Sequence, residues 1–190
     1  MLSVLFMILD LLLAFFIVLT IFRFIRVVFM RLKFIHNIKT ICKNEKYLLE
    51  LHRFPLTSVF YKSGKIDLTV KTPNDTYYIK LIASYSSKKR YHFVDSNRYV
   101  TYLKTFFVLP MATQVSENVS FVSYHEFPQI NKKDSLYDNE KYVMLFNPMP
   151  NEISYIEKDG SKQIAGNGSR IGEFYVYNGK GFCSCITGVK

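Results

Sequence analysis

The sequence predicts an α+β protein: an N-terminal transmembrane helix and a juxtamembrane helix, followed by a small, mostly antiparallel, β-rich domain. Three features of the 190 residues carry this reading. An almost unbroken apolar run opens the chain. Apolar residues then recur at helical spacing to about residue 53, and beyond Pro55 their period falls to two. The corresponding units are 1–31, a transmembrane helix with a basic flank; 32–54, a juxtamembrane or stalk helix; and 55–190, the domain. Apolar residues make up 49% of the chain, which excludes a mostly disordered polypeptide, and three cysteines exclude a disulfide framework.

From Leu2 to Phe22 only Ser3, Asp10 and Thr20 are polar. As a helix this run is about 31 Å long, the thickness of a bilayer's hydrocarbon core. A cleaved signal peptide would place positive charge before the run and a small-x-small site after it. Here nothing basic precedes Arg23 and the run ends in Phe and Arg, so the expectation is a retained anchor. Asp10 lies midway along the span, where a charged Asp costs roughly 2.5–3.5 kcal/mol. It reads either as a helix–helix contact or as a protonated carboxyl tolerated by a very apolar helix.

Charge fixes the expected orientation. Residues 1–46 hold seven basic residues against two acidic ones, all seven cations lying beyond the apolar run. Basic residues resist translocation, so the N-terminus is expected outside and the domain in the cytoplasm, at the cell membrane. Arg23, Arg26, Arg31 and Lys33 form the anchor flank, where each cation near an anionic leaflet contributes about 1 kcal/mol. The expected partners are the bilayer, through residues 2–22, and anionic lipid headgroups. The remaining net charge is spread over residues 47–190 and reads mainly as a solvated surface.

Phe34, Ile35, Ile38, Ile41 and Cys42 continue the helical spacing through Tyr47, Leu48, Leu49 and Leu51. Pro55 biases Phe54 away from helical angles, so a helix is expected over 34–53. Within the domain the clearest element is a hairpin around Thr72-Pro73-Asn74-Asp75. Its four-residue loop sets Val70 against Tyr77, Leu68 against Ile79 and Ile66 against Leu81, with the apolar residues on one face. Further strands are expected at 91–94, 99–108, 119–124, 141–147, 152–157, 171–177 and 182–187. Lys158-Asp159-Gly160 and Asn178-Gly179 read as hairpin turns, and 131–140 as an exposed loop. Ser96–Phe107 is the best candidate for another helix, with ambiguous alternation.

No constellation points firmly to chemistry. The hairpin register sets Asp67 across from Lys80. The order helix 34–53, Asp67, turn, Tyr78-Ile79-Lys80 resembles the core of PD-(D/E)xK nucleases, whose carboxylates hold Mg²⁺. Tyr78 stands where that pattern has an acid, so the resemblance implies at most a degenerate, nucleic-acid-binding site. The bland reading is a cross-strand ion pair. Cys183-Ser184-Cys185 sets two thiols on one strand face, too few ligands for zinc. Gly166-Asn167-Gly168-Ser169-Arg170 lies between strands and reads as a turn, unlike a phosphate loop. His125-Glu126 lacks the second His of a zinc-protease helix. Lys88, Lys89 and Arg90 form the densest charge run and the candidate anion-binding site. No catalytic residue, metal ligand or cofactor is expected. The leading expectation is a membrane-anchored, non-catalytic binding or scaffolding module with a protein partner or self-association. The alternative is the nuclease-like domain near the membrane.

Overall fold

The computed structural model describes residues 2–52, 66–83, 87–93, 98–104, 119–126, 139–157 and 160–188. Helix α1 runs unbroken over Leu2–Asn44, about 65 Å of rod. It ends well before the expected residue 53, for a local reason. Lys46 takes a left-handed conformation (φ 59°), and the Tyr47 N–H reaches back to the Cys42 carbonyl at 2.8 Å. That is the hydrogen bond of a Schellman cap, and Tyr47 packs on the same apolar cluster as Cys42. The chain then turns into strand β1, Leu48–Leu51, instead of continuing as helix. Pro55 lies outside the described residues.

The strands that follow are β2 (Leu68–Lys71), β3 (Thr76–Ala83), β4 (Lys89–Phe93), β5 (Arg98–Lys104) and β6 (Val119–Glu126). After them come β7 (Glu140–Asn147), β8 (Glu152–Ile156), β9 (Lys162–Ile164), β10 (Arg170–Ile171) and β11 (Phe174–Asn178), then helix α2 over Gly179–Thr187. One sheet has the order β1-β2-β3-β7-β11-β10 and the other β6-β5-β4-β8-β9. Both are mixed: β7 runs parallel to β3 and β11, and β4 runs parallel to β8. The chain is thus α+β, with two helices and mixed sheets among the described residues.

Three layers result. Phe34, Ile38 and Cys42 of α1, with Phe182 and Ile186 of α2, cover one face of the six-stranded sheet. The other face packs against the second sheet through Tyr142, Met144, Phe146, Val176, Tyr91, Phe93 and Ile153. Strand β7 is covered on both faces, which is why Tyr142 to Phe146 are all buried and apolar without a polar alternate. The β2–β3 hairpin pairs Leu68 with Ile79 and Val70 with Tyr77, its turn closed by the Thr72 N–H on the Asp75 carbonyl. Ile66 departs from the expected face: it packs between the sheets while Leu68 and Val70 face the helices.

The expected strand 182–187 is instead helix α2. Asn178 caps it, its side chain accepting the Gly181 N–H at 2.7 Å, and Gly188 closes it at φ 67°. Asn178-Gly179 is therefore a helix start and not a hairpin turn, and Cys183 and Cys185 sit on a helix. Residues 166–170 connect β9 and β10, which belong to different sheets, so this segment is a crossover rather than a hairpin. It runs beside β11, Gly168 N–H donating to the Val176 carbonyl at 2.7 Å. The helix considered for Ser96–Phe107 is strand β5 where it is described. Most of the loop expected at 131–140 lies outside the described residues.

Candidate functional site

Where α1 meets the sheet it buries a cluster of ions. Arg31 Nη2 lies 3.5 Å from Asp67 Oδ1, and Lys80 Nζ lies 3.3 Å from Asp67 Oδ2. The Leu81 N–H also donates to Oδ2, at 2.8 Å. Arg31 is 6% exposed and Asp67 3%. This corrects the reading of Arg31 as a headgroup-facing cation: its guanidinium turns inward to Asp67, one turn ahead of the buried Phe34 and two ahead of Ile38. Burial pulls the Arg31 pKa down, and the Asp67 charge partly opposes it. The Nε of Arg31 has no hydrogen-bond partner among the described residues, so the pair is held by charge more than by ideal geometry.

Asp67 and Lys80, the pair compared with nucleases, thus stand together, with two cations and a backbone N–H on one carboxylate. Among the described residues no group of three His, Cys, Asp or Glu side chains gathers around a common point. Tyr78 donates its hydroxyl to Glu140 Oε1 at 2.8 Å and stacks on Tyr142. Burial, reinforced by the Glu140 hydrogen bond, pushes its pKa up to about 12. Next to the cluster, His52 Nε2 and Thr69 Oγ1 are 2.7 Å apart.

The basic run before and within β4 is divided. Arg90 Nη1 lies 3.1 Å from Glu152 Oε2, and Lys162 approaches the other oxygen of Glu152 at 3.3 Å. Lys88 is exposed in the turn preceding β4, and the Lys89 side chain lies outside the described residues. The guanidinium of Arg90 is therefore matched by a carboxylate within its own sheet.

A second basic feature was not legible as a site in the sequence. A groove of about 1170 Å³ runs between α1 and the start of α2, with the end of β7 as its floor. Its basic lining is Arg26, Lys33 and Lys180, with His36, and no Asp or Glu among the described residues lines it. Its apolar lining is Phe29, Met30, Phe34, Ile41, Phe146 and Met149. Asn147 Nδ2 donates to the Met30 carbonyl at 3.1 Å and pins α1 to the floor. Gly179 lets α2 begin against the α1 ring of Phe34; a Cβ there would sit 3.1 Å from that ring. Asn178, the α2 cap, was the signal that could have placed Lys180 at a helix start.

The thiols do not form a metal site among the described residues. Cys42 is buried, and burial with the nearby Cys183 pushes its pKa up. Cys185 contacts the Tyr177 hydroxyl at 3.5 Å.

Along the N-terminal half of α1 no described side chain is buried. The large apolar side chains from Phe6 to Phe22, apart from a half-buried Leu19, are exposed, 48% at Ile8 and 64% at Phe22. By length and composition this helix is apolar and long enough to cross a membrane. No family model, no curated protein and no solved structure matches the chain.

Proposed function

We propose that the chain is a single-pass membrane protein whose domain lies in the cytoplasm and acts as a non-catalytic binding or scaffolding module. The observation that carries the reading is the division of α1. One helix offers an exposed apolar half and, without interruption, a second half whose Phe34, Ile38 and Cys42 belong to the domain core. An exposed apolar rod of that length is unfavourable in water and favourable in lipid. The helix passes through residues 22–33 unbroken, which leaves no extended segment for a signal protease. The cations after Phe22 favour retention of that side in the cytoplasm. Asp67, turned onto Arg31, Lys80 and a backbone N–H, is engaged as a structural ion.

Two measurements on the full chain test this. In inverted vesicles, alkaline carbonate leaves the protein in the membrane and added protease removes the C-terminal domain. Release by carbonate, or protection of the domain, overturns the placement. The full chain in detergent, titrated with labelled DNA and RNA at two salt concentrations with and without Mg²⁺, gives flat curves and no cleavage. Salt-sensitive binding or cleavage overturns the module reading in favour of nucleic acid. Residues 31–44 must be kept in any such experiment, because they supply core side chains.

A further inference from the structure

The geometry points to the α1–α2 groove as a binding site for one anionic phospholipid, its phosphate among Arg26, Lys33 and Lys180 and its glycerol end on the apolar floor. The inference rests on the membrane reading above and gives that module a ligand class. Charge comes first. The cations of the groove are exposed, and among the described residues none of them faces a carboxylate and no acidic residue lines the groove. Lys180 stands in the first turn of α2, where the helix dipole adds positive potential.

Position and lining select the occupant. Arg26 follows Phe22 by four residues, about 6 Å along the helix, so the mouth of the groove lies at headgroup depth when the apolar run spans the bilayer. Lys33 lies about 10 Å further out. Phe29, 64% exposed, and Ile25, 57% exposed, continue the apolar surface from the span up to the groove. A soluble anion has no use for Phe29, Met30 and Met149. A zwitterionic lipid matches that surface but not a cluster of uncompensated cations. An anionic phospholipid matches both.

The test uses the full chain in a non-ionic detergent, with short-chain phosphatidylglycerol, phosphatidylcholine or inorganic phosphate as the probe. Binding is read by native mass spectrometry and by the shift of the thermal midpoint. The wild type retains phosphatidylglycerol and is stabilised by it, with little response to the other two. Lys33→Gln with Lys180→Gln weakens phosphatidylglycerol binding about 30-fold, at roughly fivefold per cation. Lys39→Gln with Lys43→Gln, an equal charge loss at exposed positions outside the groove, leaves binding within about twofold of wild type. Near-UV circular dichroism in detergent alone verifies that both variants fold. Equal loss in the two pairs, equal binding of the two lipids, or an equal response to inorganic phosphate each overturns the inference. Those outcomes leave carbonate resistance and protease access of the wild type untouched, so failure of the groove and failure of the membrane reading are separable.

Discussion

At the scale of single residues the buried ions carry the sharpest expectation. Asp67→Ala removes the carboxylate and leaves Arg31 buried beside Lys80, a change that costs about 3–5 kcal/mol when a buried pair loses one partner. Arg31→Met with Asp67→Leu removes the two most buried charges and costs less than Asp67→Ala alone, because the cation that then loses the carboxylate, Lys80, is 15% exposed and reaches water more readily than Arg31. Thermal unfolding of the three proteins in detergent, followed by near-UV circular dichroism, checks the ordering; a double variant as unstable as the single one refutes it. His92 is a second residue with a defined sign. Its Nδ1 lies 2.9 Å from the buried Ser154 Oγ, and burial, then Lys162, lowers its pKa despite Glu152. Below about pH 6.5 the unfolded chain takes up a proton that the folded chain resists. The stability associated with neutral His92 is therefore complete above that pH and is lost as pH falls through the lower folded value. The thermal midpoint drops more between pH 7.5 and 5 in the wild type than in His92→Gln; equal drops refute the assignment. The positions of Asp67 and Lys80 were legible from strand alternation alone. The partner Arg31 was not, because a cation after an apolar run reads as a headgroup contact until the tertiary fold folds the sheet onto it.

At the scale of elements, the two segments whose helical state was misread at a helix end, 45–52 and 182–187, turn on local capping rather than on periodicity. Apolar residues up to Leu51 fit a helix well, yet the helix stops at Asn44, because the Schellman bond at Lys46 needs no glycine to form. That non-glycine residue in a left-handed conformation is strained by roughly 1–2 kcal/mol. Lys46→Gly relieves the strain and raises stability by about 1 kcal/mol, seen as a thermal midpoint a few degrees higher; a lower midpoint would contradict the cap geometry. In α2 the buried residues Phe182 and Ile186 are four apart. That spacing satisfies a period of two as well as one of 3.6, so alternation could not decide between strand and helix. Asn178 and Gly188, a cap at each end, could have decided it. The β2–β3 hairpin was readable in full register because its turn and its apolar alternation agree. Strand β7 was readable as a strand, but not as the centre of a mixed sheet, since its partners β3 and β11 come from distant parts of the chain.

At the scale of the whole molecule, α1 is both the exposed apolar rod and one wall of the core. Nothing between Phe22 and Arg31 breaks it: no proline, no glycine and no non-helical residue. The body therefore has no swivel. Each residue of an α-helix advances the azimuth by about 100° and the height by only about 1.5 Å. A single alanine inserted after Phe24 keeps every packing contact from Arg31 onward but spins the body by more than a quarter circle against the lipid plane. Its melting behaviour in detergent stays that of the wild type. Spanning helices tilt by about 20° on average, so in anionic vesicles the rotation changes the depth of a spin label on Lys180, and an unchanged depth profile would mean the shaft flexes after all. On the membrane reading, orientation toward the bilayer is thus written as a phase in the sequence of the shaft, and a change in its length keeps that orientation only in steps that restore the phase.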